Sequence, residues 1–168
     1  FMALSAGEFY RRLNRLLVDN PAYAPDGPAL ARLAKLGIGP GRDFELSAFP
    51  SRIEAAVKIG YQLGRVEVMK EAQHLGESVN GWSLTYDMGR FGTKYAYRAA
   101  WTLIGIGGNV LEDAFYPTTT FDADGNDLSG ANQYELTFSE SEIPPAKAFW
   151  SLTMYDDEGT VTTAMRAG

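Results

Sequence analysis

Cysteine is absent from the 168 residues, which excludes a disulfide framework, a thiolate metal site and a cysteine nucleophile. Histidine occurs once, at His74, so a Ser-His-Asp triad or a histidine metal cluster would have to be built around that residue. Positive charge is scarce: 15 Lys and Arg stand against 21 Asp and Glu, a net charge of -6. Nucleic acid and anionic membrane surfaces both need clustered cations, so neither fits as a partner. No stretch reaches the roughly 18 apolar residues of a membrane span, and Phe1-Met2-Ala3-Leu4 does not have the form of a signal peptide. No residue pattern calls for a cofactor.

The chain is rich in apolar residues, at 45 %, and in aromatics, with nine Tyr, nine Phe and three Trp. Its length suits one domain with a sizeable core, 1–168, with a helical part over about 1–106 and a β part over about 110–165. The abrupt start at Phe1 and the stop at Gly168 within a strand-like region fit either a fragment or a chain whose partners supply missing edges.

Helical patterns fill the first two thirds. Ser5-Ala6-Gly7-Glu8 is a capping box, and Phe9, Leu13, Leu16 and Leu17 follow at helical spacing with Arg11, Arg12 and Arg15 on the wet face. This predicts a helix over about 5–18, ended by Asp19-Asn20-Pro21. Pro28 suits a first helical position, and a short helix through Leu30, Leu33, Ala34 and Leu36 ends at Gly37. A second capping box, Ser51-Arg52-Ile53-Glu54, predicts the longest helix, to about His74, with Ile53, Val57, Tyr61, Gly64 and Val68 in one stripe. Residues 76–92 read as loop, with turns at Asn80-Gly81-Trp82 and at Asp87-Met88-Gly89-Arg90. Residues 95–106 read as a helix apolar nearly all round, hence buried, and stopped by Gly105, Gly107 and Gly108.

The last third changes period. Residues 114–121 are aromatic and β-branched, and Asp122-Ala123-Asp124-Gly125-Asn126-Asp127 favours a turn. Gln133-Tyr134-Glu135-Leu136-Thr137-Phe138 alternates, with Tyr134, Leu136 and Phe138 on one side, as in a half-buried strand. Residues 148–155 alternate too, and Asp156-Asp157-Glu158-Gly159 is a turn before a strand over 160–163. Short connections make these strands antiparallel. The fold class is therefore α+β: helices packed on a small antiparallel sheet.

Candidate chemistry is sparse. Asp122, Asp124 and Asn126 have calcium-loop spacing, but Asp127 and Gln133 stand where a Gly and a bidentate Glu belong, which favours a plain hairpin turn. Gly105-Ile106-Gly107-Gly108-Asn109 follows a helix, whereas a dinucleotide fingerprint follows a strand, so it reads as helix termination. His74, in a last helical turn, caps carbonyls. Glu112 and Asp113 are the candidate catalytic acid and base, although neighbours on an extended chain point to opposite faces. Tyr97, Arg98, Asn109, Tyr116, Asn132 and Trp150 are the candidate ligand-binding set, lining an aromatic cleft for a small-molecule or carbohydrate-type ligand. Trp101 and Trp150 also read as core packing. The alternative is a structural or assembly module pairing through an open sheet edge, which makes the chain a homo-oligomer.

The run Arg98-Ala99-Ala100, Gly107-Gly108-Asn109, Glu112-Asp113-Ala114, Tyr116-Pro117, Asp122-Ala123-Asp124-Gly125, 128–132, Pro144-Pro145 and 148–156 resembles the family catalogued as domain of unknown function 1214. The stretches Glu8-Phe9, Asp19-Asn20-Pro21 and 33–41 resemble the segment joining it to domain of unknown function 1254. The resemblance implies a bacterial, often exported protein with a C-terminal β-sandwich of jelly-roll type, so an exported or periplasmic location, and no assigned activity. Relative to that pattern the chain lacks an N-terminal β-domain and the strands that would complete the sandwich.

Overall fold

The computed structural model describes residues 3–105 and 108–162. The chain divides into two compact units, Phe1–Thr118 and Thr119–Gly168. Ile106, Gly107 and Thr163, which enter the predicted helix end and last strand, lie outside the described residues.

The first unit is helical with one hairpin. Helix α1 spans Ala6–Asp19. Its predicted capping box is formed: the Ser5 side chain accepts from the Glu8 amide, and Glu8 accepts from the Ser5 amide at 2.9 Å. Helix α2 spans Gly27–Leu33 and tightens into a 3-10 turn over Ala34–Leu36. Gly37 then stops it at φ +72°, a left-handed conformation that costs glycine least. Helix α3 spans Ser51–Ala72. The predicted capping box at its start does not form: the N-cap is Pro50 and no side chain caps it, because the helix begins at Ser51 itself.

Between α3 and the next helix the structure corrects the loop reading. Strands β1 (Glu77–Val79) and β2 (Trp82–Leu84) form an antiparallel hairpin with Val79 opposite Trp82. Asn80 at φ 56° and Gly81 at φ 81° turn the chain between them, the positive φ pair that a two-residue hairpin of this twist requires. Thr118 bridges to Ser83, its carbonyl accepting from the Ser83 amide at 2.7 Å. Helix α4 spans Tyr95–Ile104 and packs along α3. It is not buried all round: Tyr97 and Ala100 are buried, whereas Ile104 is 57 % exposed. A ten-residue helix covered on one side hides only that side.

The core of this unit joins Ala6 of α1 and Val57 and Tyr61 of α3 to Ile38, Phe44 and Leu46 of the intervening loops. Phe9 and Tyr10 pack into it, with ring centroids 5.3 Å apart for Phe9 and Tyr61 and 5.2 Å for Tyr10 and Phe44. Tyr61 is satisfied at its polar end by donating to the Leu4 carbonyl at 2.9 Å. Opposite this buried stripe α3 carries a second apolar face, with Ile59, Leu63 and Val66 exposed.

The second unit holds no ladder of strands among the described residues. Two isolated antiparallel bridges, Phe121 with Asp127 and Tyr155 with Val161, close turns that share one plan. Asp122 accepts from the Asn126 amide at 2.9 Å and Asp156 from the Thr160 amide at 2.7 Å, each through Oδ1. Gly125 and Gly159 occupy the matching left-handed positions. Of the segments predicted as strands, 133–138 makes no backbone hydrogen bond to another segment among the described residues, and 148–155 pairs only at its end, where the Met154 carbonyl accepts from the Thr162 amide at 2.9 Å and Tyr155 bridges Val161. The alternation is present, but a strand exists only where a second one satisfies its amides and carbonyls. The fold is α+β, with its small antiparallel sheet in the first unit at 77–84 rather than in the last third.

Candidate functional site

Tyr97 and Arg98 are neighbours on α4 and go to different partners. The Tyr97 hydroxyl donates to Asp87 Oδ1 at 2.5 Å, and Lys94 Nζ meets the other Asp87 oxygen at 2.6 Å. Burial, and then the hydrogen bond to the Asp87 carboxylate, push the Tyr97 hydroxyl up to about 12. For Asp87 burial acts in the opposite sense, yet the bonds from Lys94 and Tyr97 prevail and hold its carboxyl below the usual range.

This arrangement has a pH consequence. A phenol whose folded pKa lies above the unfolded value near 10 contributes stability that is complete below that value. The contribution is lost as pH rises through about 12. Tyr97→Phe is expected to cost about 1 kcal/mol at neutral pH and to abolish the Tyr97-dependent part of the alkaline loss. Urea unfolding of both proteins at neutral pH and near pH 11 measures it; equal losses in stability on alkalinisation would contradict it.

Arg98 forks onto Asp26, with Nη1 to Oδ1 at 3.2 Å and Nη2 to Oδ2 at 2.9 Å. The Asp26 side chain is 12 % exposed and that of Arg98 32 %. The guanidinium also lies over the Tyr95 ring, 5.3 Å from its centroid. This ties α4 to the turn that opens α2, an architectural use of the bidentate fork.

Asn109 and Tyr116 come together: the Asn109 amide donates to the Tyr116 hydroxyl at 2.7 Å, in an exposed position. Glu112 pairs with Arg90 at 2.8 Å, with both side chains well exposed. Its own backbone amide and then Arg90 hold its carboxyl below the ordinary range, away from the raised value a general acid needs. Residues 111–113 form a turn, so Glu112 and Asp113 are not on an extended chain at all. Asn132 and Trp150 belong to the second unit, where Asn132 donates to the Tyr134 hydroxyl at 3.2 Å and Trp150 packs edge-on to Phe138 at 5.6 Å.

His74 does cap α3, its Nδ1 lying 3.1 Å from the Lys70 carbonyl. Among the described residues no group of three or more His, Cys, Asp or Glu is placed to hold a metal ion. In the 122–127 turn the Asp122 carboxylate is instead engaged by backbone amides, which also depress its pKa. Among the described residues no helix is long and apolar enough to cross a membrane.

Two residues outside the predicted site matter more than several within it. Asn14 is 1 % exposed and ties α1 to the 37–42 loop through three side-chain hydrogen bonds. Trp101, read as core packing, has its Nε1 buried without an acceptor in good hydrogen-bond geometry. An Asn at a core-facing helical spacing was the available signal for the first; nothing in the sequence flags the second.

The second unit carries a dense set of exposed apolar groups. Among 119–162 no residue is buried, and Phe121, Tyr134, Leu136, Phe138, Phe149, Trp150 and Leu152 are all exposed. Phe149 stands at 80 %.

No curated protein and no solved structure matched the chain. Residues 113–167 match the family model described as Protein of unknown function (DUF1214), and over that C-terminal segment the resemblance read from the sequence holds.

Proposed function

We propose that the 119–162 region is an assembly module, whose strand-patterned segments are completed by pairing with another chain. One observation carries the reading: a segment with this much aromatic and aliphatic surface has no buried residue of its own. Apolar side chains left in water forfeit about 25 cal/mol for each Å² that a partner would cover, and patches of this kind mark interaction surfaces. The amides and carbonyls of 133–138 and 148–153, unpaired among the described residues, supply the directional part of the contact. A jelly-roll-type sandwich is the form such completion takes in this reading, with 1–168 acting as one domain once completed. The likeness of 8–41 to the segment that joins domain of unknown function 1254 belongs to the same proposal. Light scattering of the chain at micromolar concentration tests it: a species heavier than the monomer is expected, and a monomer at every concentration would count against it.

A second reading, handling of a small ligand beside α4 with Tyr97, Arg98, Asn109, Glu112 and Tyr116, is favoured by the buried Trp101 Nε1, which has no acceptor in good hydrogen-bond geometry and only a weak interaction with the Tyr97 hydroxyl. A ligand acceptor reaching that atom would satisfy it. Against it, Tyr97, Arg98 and Glu112 already hold protein partners.

A further inference from the structure

We propose that Asn80 is a modification site: it deamidates spontaneously through a succinimide when the 77–84 hairpin opens, and the product does not rebuild the turn. Asn80 is the one asparagine of this chain that is followed by glycine; the others precede Arg15, Pro21, Val110, Asp127 and Gln133. The reaction joins the Gly81 backbone nitrogen to Asn80 Cγ. The Cγ–Nδ2 bond breaks, and the Gly81 amide proton leaves with Nδ2 as ammonia. Water then adds to one of the two ring carbonyls and opens the ring to aspartate or isoaspartate. A side chain on the following residue hinders ring closure, and glycine has none. Asn80 and Gly81 are both exposed, and a Cβ on Gly81 would meet nothing within 4 Å.

The closed hairpin holds this reaction back. At φ 56° Asn80 is left-handed, and in that region the Gly81 nitrogen lies on the far side of the Cα–C bond from the Asn80 side chain. Ring closure therefore waits for the turn to open. Opening is cheap here, because each strand has three residues and all of β1 is exposed, and a two-stranded hairpin is marginal by itself. Outside its own ladder β2 is held by the Thr118 bridge at Ser83. Isoaspartate adds a methylene to the main chain, which a two-residue turn with positive φ at both positions does not accommodate. Either product takes the net charge of -6 one unit lower.

Peptide mapping by mass spectrometry of the whole chain, held at mildly alkaline pH with and without urea, tests the site. In urea the amide-to-acid conversion is expected at Asn80 ahead of the other asparagines. In the folded chain Asn80 should convert about tenfold more slowly. Trp82→Ala removes the cross-strand match to Val79 and should speed the folded-state conversion about two- to fivefold while leaving the rate in urea unchanged. Asn80→Gly suits the same turn, so its hairpin amides should stay protected from hydrogen exchange through the incubation, whereas those of the wild-type chain lose protection as conversion proceeds. Conversion as fast in the folded chain as in urea, no conversion in the folded chain while the urea sample reacts to completion, or a Trp82→Ala rate equal to wild type would each overturn the inference.

Discussion

Replacing Asn14 by Ala is expected to lower stability by about 3–5 kcal/mol, the largest effect of any single polar substitution in the first unit. Its Nδ2 donates to the Gly37 carbonyl at 3.0 Å and the Arg42 carbonyl at 2.8 Å, and its Oδ1 accepts from the Gly39 amide at 2.8 Å. The loop over 37–42 has little else to hold it to α1 except the Gly41 amide bond to the Asn14 carbonyl at 2.9 Å. Truncation leaves three backbone groups without partners next to Ile38, one of the most buried side chains of the core. At about 1–3 kcal/mol for each unsatisfied buried group, partial access of water to the Arg42 side keeps the total below the simple sum. Thermal unfolding followed by far-UV circular dichroism reads it as a fall of roughly 10 °C or more in Tm. A loss under about 1 kcal/mol would mean the loop is held by its apolar contacts alone.

Asn14→Asp sharpens the same argument. A carboxylate still accepts from Gly39 but turns acceptor against acceptor at the two carbonyls. Its folded pKa is therefore raised, and the variant should regain stability as pH falls through the carboxyl range, when the protonated form donates again. A variant equally unstable at neutral and acid pH would contradict the donor role.

The second large effect is expected at Arg98. Arg98→Met leaves the Asp26 carboxylate, 12 % exposed, without its counter-ion. Stranding a buried charge costs about 3–5 kcal/mol; since the Arg98 side chain is 32 % exposed, the lower end of that range applies. Asp26→Asn combined with Arg98→Met removes the stranded charge and should recover a large part of the loss. Denaturant unfolding of the single and double variants forms a cycle, and strict additivity would show that the pair does not couple. The result also separates architecture from ligand binding, because a ligand-contacting Arg98 would be removable without unfolding the chain.

Helices were legible in the sequence because their signals are local. The Ser5 and Glu8 box, the Gly37 stop and the stripe through Val57 and Tyr61 each need only a few neighbouring residues to act. The hairpin at 77–84 was equally local, since Asn80-Gly81 is a strong turn signal. It was overlooked because the three-residue strands on either side are too short to show alternation. Asn14 is hidden for a different reason: a polar residue on a helix reads as solvent-facing unless the loop that receives its hydrogen bonds is known. The site set fared unevenly on the same grounds. Asn109 and Tyr116, seven apart, do meet, whereas Arg98 finds Asp26 across 72 positions, which no spacing rule predicts. In the last third the alternation of 133–138 describes which side chains would share a face, and the two Asp-anchored turns form as their sequences dictate. Pairing is a property of two strands, so one sequence pattern cannot supply it.

The most direct measurement is amide hydrogen exchange of 133–138 and 148–153, compared between dilute and concentrated protein. If those segments await a partner chain, their amides exchange near the rate of an unstructured chain when dilute and become protected as the assembly forms. The α1 and α3 amides stay protected throughout. Protection of 133–138 at the dilute limit would show the strands already satisfied within the single chain, and would contradict the assembly account.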